Sequence, residues 1–199
     1  MKTKFVLLLL CFSLASAMEA KAKTVLPDAC GDDKIKFDVK TEKDQPAPSA
    51  PAPGKAQIAF VEDGDVRVGS FGHPIVRYGL DGTWVGANYG NSYFTVDVEP
   101  GVHHLCANWQ SSNHALKKSV NAASFTAEPG KVYYFAVKTG YSGGGGGYVA
   151  PTMGANGAMT GGGMVQGAPG NVVFILTQLP EDEGKYRVKA WKLATWKTK

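Results

Sequence analysis

Short runs of alternating apolar and polar residues, separated by turns rich in proline and glycine, fill most of the chain after residue 55. The clearest turns are two Glu-Pro-Gly tripeptides, at 99–101 and 128–130. Proline presets φ at the second position of a type II turn, and glycine supplies the positive φ that the third position needs. The dipeptide at 81–82, Asp-Gly, suits the type I′ turn of a two-residue hairpin. We therefore expect an all-β fold, an antiparallel β-sandwich of about seven to nine strands.

The two ends of this region carry further signals. Residues 34–40, KIKFDVK, alternate strictly and predict a half-buried strand. Residues 171–179, NVVFILTQL, are almost continuously apolar and predict a strand buried on both faces. In residues 180–199, acids precede bases as in a short C-terminal helix, but apolar and basic residues also alternate as in a strand. Both alternatives stay open for this last segment.

The first residues have the order of a secretory signal peptide. Lys2 and Lys4 precede an apolar run, and the tripeptide Ala-Ser-Ala at 15–17 fits the cleavage site, with an alternative after residue 22. The apolar run is shorter than the ~20 residues that span a membrane. We predict cleavage after residue 17 and export of the mature chain.

Export changes the expected chemistry of the cysteines. Of the three cysteines, Cys11 leaves with the signal peptide, so Cys30 and Cys106 remain in an oxidising compartment. A disulfide between them is the economical interpretation. It would close a loop of 76 residues (106 − 30), to which the chain-entropy model assigns about 4 kcal/mol.

These signals divide the chain into four segments. A signal peptide occupies 1–17, an N-terminal segment with one strand occupies 18–44, and a Pro/Ala linker occupies 45–54. The four prolines of QPAPSAPAPG make the linker a semi-rigid extended spacer. The sandwich domain fills 55–199 and carries a glycine-rich loop at 140–170.

The glycine-rich loop holds 13 of the 25 glycines of the chain and none of its Asp, Glu, Lys or Arg residues. It lacks the Gly-Lys-Ser/Thr ending of a phosphate-binding loop. Met153, Met159 and Met164 are soft ligands of the kind that copper prefers, but no histidine lies among them. A flexible insertion between two strands is the expected structure.

The stretch VHHLCANW places two histidines beside a cysteine, as a metal or catalytic site could. Neighbouring side chains of a strand face opposite ways, so His103 and His104 cannot bind one metal from it. His104 would share a face with Cys106, and His73 or His114 could complete a ligand set. Structural zinc sites usually show two paired ligand spacings, and this chain offers one at most. We therefore interpret the stretch as a strand and predict no metal-binding, cofactor-binding or catalytic residue.

Charge and motifs do not point to nucleic acid or to a reaction. The full chain carries +4, and loss of Lys2 and Lys4 leaves +2, too little for an electrostatic argument for nucleic-acid binding. The hydrolase motif G-x-S-x-G is missing, because VGSFG has Val68 where the first glycine should be.

The residues GLDGTWVGANYGNSYFTVDVEPGVHHLCANWQ and FTAEPGKVYYFAVK resemble a bacterial family described as domain of unknown function 2846. The resemblance extends over about 54–190 and is interrupted by the glycine-rich loop. The motif P-G-x-H-x-L, at 100–105, is also similar to that of small prealbumin-like and PEGA-type surface domains. The resemblance implies an immunoglobulin-like or prealbumin-like β-sandwich in the bacterial envelope, periplasmic or extracellular, and implies no activity. Many relatives are lipoproteins, and this chain lacks their lipidation signal.

Export, fold and resemblance together favour a non-catalytic envelope module. Such a module would bind or scaffold another envelope component, either a protein or a cell-surface polymer. Two alternatives stay open, an envelope hydrolase and a carrier that binds copper or zinc through His and Met residues. No cofactor, no nucleic-acid partner and no transmembrane segment in the mature chain are expected.

Overall fold

The computed structural model describes residues 26–42, 48–62, 74–112, 119–141, 147–149, 152–153, 159–160, 163–165 and 172–199. The predicted signal peptide, with both cleavage sites, lies outside these residues and stays a prediction. The described part is mostly β-strand with a short helix near the C-terminus. The prediction of an all-β sandwich with a short C-terminal helix is therefore confirmed.

The described residues form fourteen strands and one helix. The strands are β1 (Phe37–Glu42), β2 (Ala56–Glu62), β3 (Ile75–Leu80), β4 (Thr83–Asn88), β5 (Ser92–Val98), β6 (Gly101–Gln110), β7 (Val120–Ala127), β8 (Val132–Tyr141), β9 (Gly147–Val149), β10 (Thr152–Met153), β11 (Met159–Thr160), β12 (Gly163–Val165), β13 (Val172–Leu179) and β14 (Lys192–Thr198). The helix α1 comprises Glu181–Ala190.

Ten of the strands form two sheets. A six-stranded sheet has the order β1-β14-β5-β2-β8-β13, and a four-stranded sheet has the order β4-β3-β6-β7. Nine of these ten strands come from the predicted sandwich domain, and β1 comes from the N-terminal segment. Most neighbours are antiparallel, but β2 runs parallel to β8, and β14 runs parallel to β5 at two residue pairs. The β2–β8 pair is parallel because the chain between them crosses over through the four-stranded sheet.

The core between the sheets is built around aromatic side chains. Phe60 of β2 lies at its centre, with its ring centroid 4.6 Å from that of Tyr78 and 5.1 Å from that of Phe94. Tyr78 belongs to the four-stranded sheet and Phe94 to the six-stranded sheet. Because aromatic rings bury a large area each, this group of rings joins the two sheets.

The strand β2 is enclosed on both faces, since all seven of its residues are buried. Ile58 and Phe60 point into the core between the sheets. Ala59 and Val61 point to the opposite face, where they pack in a second cluster with Val188 of α1. The helix therefore covers the outer face of the six-stranded sheet over β2.

The strand β13 is an outer strand of the six-stranded sheet. The prediction that NVVFILTQL is buried on both faces stays a prediction, because the side chains of residues 171–174 lie outside the described part. Ile175 and Thr177 are half-buried, whereas Leu176 is fully buried. The backbone N–H of Leu176 donates to Oδ1 of Asn121 on β7, at 3.2 Å. This bond ties β13 to the facing sheet.

The N-terminal segment does contain a strand, although it begins at Phe37 rather than at Lys34. The strand β1 pairs antiparallel with β14, and Phe37 is only 3% exposed. Ile35 precedes the strand and packs with Cys30 and Trp84 in a third cluster outside the main core. The alternation in the sequence therefore identified the apolar face correctly but placed the start of the strand too early.

Residues 180–199 contain both predicted alternatives in succession. The first turn of α1 is acidic and its last turn carries Arg187 and Lys189, an arrangement that the helix dipole favours. The strand β14 follows after Trp191. Gly184 lies inside the helix because a Cβ at this position would overlap the ring of Tyr134 on β8.

The glycine-rich loop contains backbone pairing that the sequence did not predict. The strand β10 pairs with β11, and β9 pairs with β12. Glycine-rich segments can form such pairs because the hydrogen bonds come from the backbone alone. The remaining residues of 142–171 lie outside the described part, so their predicted mobility stays a prediction.

Candidate functional site

The turn between β3 and β4 is tied to β6 through Asp81. Asp81 and Gly82 both have positive φ, 48° and 86°, as the predicted type I′ turn requires. The Asp81 amide donates to the carbonyl of His104 at 2.9 Å, and its Oδ1 accepts from the amide of His104 at 2.8 Å. A hairpin turn and a neighbouring strand are thus joined by two reciprocal hydrogen bonds.

His103 completes this arrangement with its imidazole ring. Its Nδ1 lies 2.6 Å from Oδ2 of Asp81, and its Nε2 lies 2.7 Å from the carbonyl oxygen of Glu99. The ring also packs against Phe125, with centroids 5.8 Å apart, and the side chain is 13% exposed. Both partners are acceptors, so both ring nitrogens must donate, and only the protonated imidazolium can do so.

The pKa values of the pair respond to these contacts. Burial alone would lower the pKa of His103, but the hydrogen bonds to Asp81 and to the Glu99 carbonyl raise it above its usual value. Burial alone would raise the pKa of Asp81, but the hydrogen bonds from His103 and from the His104 amide lower it. The geometry therefore favours the charged form of both side chains.

This arrangement does not have the geometry of a catalytic base. A general base or a metal ligand needs a ring nitrogen with an accessible lone pair. Both nitrogens of His103 are occupied, and His104, whose Nδ1 lies 3.8 Å from Asp81, is 65% exposed on the opposite face of the strand. Asp81 and His103 thus connect the turn to β6, and neither ring nitrogen of His103 is available to act as a base or a ligand.

The predicted disulfide between Cys30 and Cys106 is present. The two Cα atoms lie 5.1 Å apart, and 76 residues separate the cysteines along the chain. Cys30 is 7% exposed and Cys106 is fully buried. Because the sulfur of Cys106 is bonded to that of Cys30, the pair His104/Cys106 cannot serve as a metal-ligand pair in this structure.

A buried arginine holds the N-terminal segment beside this disulfide. One Nη of Arg77 donates to the carbonyl of Ile35 at 2.6 Å, and the other donates to Oδ1 of Asn108. The guanidinium also lies over the ring of Trp84, 4.4 Å from its centroid, and 3.5 Å from the carboxylate of Asp33. Burial lowers the pKa of Arg77, and the charge of Asp33 partly opposes that shift.

A group of buried polar side chains, two of them ionisable, is enclosed at the end of β2. Glu62, Tyr78 and Asn88 are each 0% exposed. Burial raises the pKa of Tyr78 well above its usual value, and the negative charge of Glu62 adds to the shift. A carboxylate beside a phenol resembles a catalytic pair, but a substrate could not reach groups that are fully buried.

Most residues of the alternative metal hypothesis have side chains outside the described part of the chain, so that hypothesis stays untested. His73 and His114 lie outside the described residues, and only the backbone is described for Met153, Met159 and Met164. Within the described part of the chain, no group of three or more His, Cys, Asp or Glu side chains could hold a metal ion.

The sequence pattern alone does not show that Asp81 and Arg77 organise this region. The Asp-Gly dipeptide predicts a turn at Asp81, and an Asp at such a position often bonds nearby backbone groups. Arg77 lies in a β-strand between apolar neighbours, Val76 and Tyr78. A charged residue on a strand that is otherwise apolar was the available signal of a buried partner.

Comparison of the chain with family models, with curated proteins and with solved structures found no match. Of the helices in the described residues, none has the length and apolar character needed to cross a membrane.

Proposed function

We propose that this chain is a non-catalytic exported module of the bacterial envelope, whose β-sandwich binds or scaffolds another envelope component. The observation that carries this proposal is that three of the ionisable side chains described above are buried or bonded within the fold. His103 has both ring nitrogens occupied, Arg77 lies under the N-terminal segment, and Glu62 is enclosed. Acid–base or nucleophilic chemistry needs such a group within reach of a substrate.

The disulfide supports the exported location. Disulfides persist in the periplasm and outside the cell, and they are rare where thiols are kept reduced. The resemblance to the domain of unknown function 2846 family suggests the same compartment. Protein recovered from the periplasmic fraction is expected to begin at Met18 by N-terminal sequencing, and a retained Met1 would contradict export.

Exposed apolar side chains are the first candidates for contact with a partner. Among the described residues, the large apolar side chains that remain exposed are Val102 (65%), Tyr186 (71%) and Tyr89 (44%). Val102 lies on β6, Tyr186 on α1, and Tyr89 just after β4. Because they belong to different elements, each can report on a different part of the surface.

The partner can be sought with a photo-crosslinking amino acid placed at each of these positions in turn. We expect one position to capture a single envelope protein or polymer in living cells, and the other two to act as matched controls. Equal labelling of abundant proteins from all three positions, or no capture from any of them, would contradict a binding role for these surfaces.

Two further measurements distinguish the alternatives. A screen of ester, peptide and glycoside substrates tests the hydrolase hypothesis, and turnover that survives careful purification would overturn the proposed function. Metal analysis of protein purified without a histidine tag tests the carrier hypothesis. Stoichiometric copper or zinc that is lost when His73 and His114 are changed to alanine would favour that alternative.

A further inference from the structure

The strand β1 presents a free edge of the six-stranded sheet. In an antiparallel strand, the N–H and C=O of one residue point to the same side, and successive residues alternate. The carbonyl of Lys36 accepts from the amide of Lys199, just beyond β14, at 2.8 Å. Residues 38, 40 and 42 therefore also face β14, whereas Phe37, Val39 and Thr41 direct their backbone groups away from it.

The side chain of Gln110 confirms this direction at Phe37. Its Oε1 accepts from the Phe37 amide at 2.6 Å, and its Nε2 donates to the Phe37 carbonyl at 2.7 Å. A single amide side chain thus takes the place of a neighbouring strand at one position. Val39 and Thr41 continue the same row, and in the described part of the chain no strand pairs with that side of β1. Such a row is a template for a further strand.

The charges along β1 are arranged to fit a second copy of the same strand. Lys36, Asp38, Lys40 and Glu42 alternate in sign, and all four are exposed. We propose that two copies of this chain pair through their β1 edges, antiparallel, about a two-fold axis at Val39. Lys36 then lies opposite Glu42 of the second copy, and Asp38 lies opposite Lys40 of the second copy, so all four cross-strand pairs join opposite charges.

The charge pattern also excludes the neighbouring registers. A shift of the axis by one residue places Asp38 opposite Asp38, or Lys40 opposite Lys40, and like charges directly opposite each other are destabilising. In the register centred on Val39, the Val39 amide of each copy donates to the Val39 carbonyl of the other. In this register Thr41 of the second copy faces Phe37, so extending the sheet across the axis requires the Gln110 amide to leave the Phe37 backbone in both copies.

The association is expected to be weak and sensitive to salt. The contacts are backbone hydrogen bonds and exposed ion pairs, which are individually weak and screened by salt. Asp38 already has an exposed partner in its own chain, Lys199, at 3.5 Å. A second copy therefore competes with a flexible surface contact.

Charge variants of the whole chain test the pairing. K36E/K40E makes the strand entirely acidic, and D38K/E42K makes it entirely basic. By sedimentation velocity, we expect the unaltered chain to dimerise as its concentration approaches about 1 mM, the weak end of the affinity scale. Each variant alone should dimerise at least tenfold more weakly, and an equimolar mixture should recover the dimer.

D38K/K40D exchanges two charges but keeps every opposite pair, so this control should dimerise like the unaltered chain. Circular dichroism and urea unfolding of each variant establish that the monomer is folded.

Cysteine cross-linking tests the register. Residue 38 of one copy lies directly opposite residue 40 of the other, at a Cα distance of about 4.5 Å that a disulfide can bridge. The two copies of residue 38 are too far apart for a disulfide. A mixture of D38C and K40C chains should therefore yield mixed disulfide dimers in large excess over either homodimer. The proposal is overturned if the unaltered chain stays monomeric, if the single-sign variants dimerise unchanged, or if homodimers form as readily as mixed dimers.

Discussion

Asp81 and His103, which are 22 residues apart in the chain, form a hydrogen bond of 2.6 Å. This bond joins the turn between β3 and β4 to β6, the other strand that pairs with β3. The folded-state pKa of His103 is raised, so its contribution to stability is complete below its unfolded pKa of about 6.5 and is lost as pH rises through the folded value. The pKa of Asp81 is lowered, so its contribution is present above about pH 3.9 and is lost as pH falls through the folded value. The pair therefore stabilises the fold most between about pH 4 and 6.5.

The variant His103→Gln tests this pH window. Glutamine can donate to one acceptor but carries no charge, so we expect a loss of about 1.5 kcal/mol in the free energy of unfolding near pH 5.5, typical of a hydrogen bond to a charged group. The loss should be smaller at about pH 8.5, because the contribution of a group with a raised folded-state pKa declines as pH rises toward and through that pKa. Urea unfolding at the two pH values measures both quantities. His104→Gln is the matched control, because that side chain is 65% exposed. Equal losses for His103→Gln at both pH values would contradict the charged bond.

Local signals in the sequence were sufficient for the turns and for most strands of the two sheets, although not for the short strands β9–β12 or for the start of β1. The Glu-Pro-Gly and Asp-Gly turns lie where positive φ is observed, at Gly101, Gly130 and residues 81–82. What local signals could not provide is the order of strands in the sheets, because that order depends on contacts between distant segments. The strand β2 was thus treated as an ordinary strand, although α1 covers its second face.

The candidate site was predictable only in part, for a similar reason. The disulfide follows from cysteine number and compartment, and the structure contains it. The partners of His103 come from a turn 22 residues earlier and from the carbonyl of Glu99. No periodicity in the sequence encodes such a contact. Only the alternation of faces, which separated His103 from His104, was visible beforehand.

Removal of the disulfide should cost much of the stability of the fold. The double variant C30A/C106A frees a loop spanning 76 residues in the unfolded chain, so we expect a loss of about 4 kcal/mol by urea unfolding. Intact mass after alkylation of the native protein should show no free thiol, and reduction should then expose two. Two thiols that react before reduction would contradict the bond.

Gly184 should not tolerate even a methyl group. Alanine is normally favoured over glycine in a helix by about 1 kcal/mol, but here a Cβ would overlap the Tyr134 ring, and overpacking of this kind costs about 1–3 kcal/mol. Gly184→Ala is therefore expected to lower the free energy of unfolding. Tyr186→Ala, in the same helix but 71% exposed, should change it little. A stabilised Gly184→Ala protein would show that α1 does not pack closely on β8.

Replacing Arg77 even by lysine should lower the free energy of unfolding. Its two Nη atoms bond groups on opposite sides, the Ile35 carbonyl and Asn108, and its flat face lies on Trp84. A lysine ammonium is a point charge that cannot reproduce this fork or the stacking. We expect Arg77→Lys to destabilise the protein by about 3 kcal/mol, the lower end of the cost of breaking a buried charged contact.

The same substitution should loosen the N-terminal segment before the rest of the fold. Residues 26–36 are held by the disulfide at Cys30, by hydrogen bonds from Trp84 and Gly82 to backbone carbonyls of the segment, and by Arg77. Of these attachments, the Arg77 guanidinium is the one that bonds Ile35. Hydrogen exchange should show faster exchange of the amides around Ile35 in Arg77→Lys, with β2 still protected. Lys34→Ala is a suitable control, because this side chain is exposed in the same segment. Unchanged exchange around Ile35 would mean that Arg77 stabilises the sheet and not the segment that covers it.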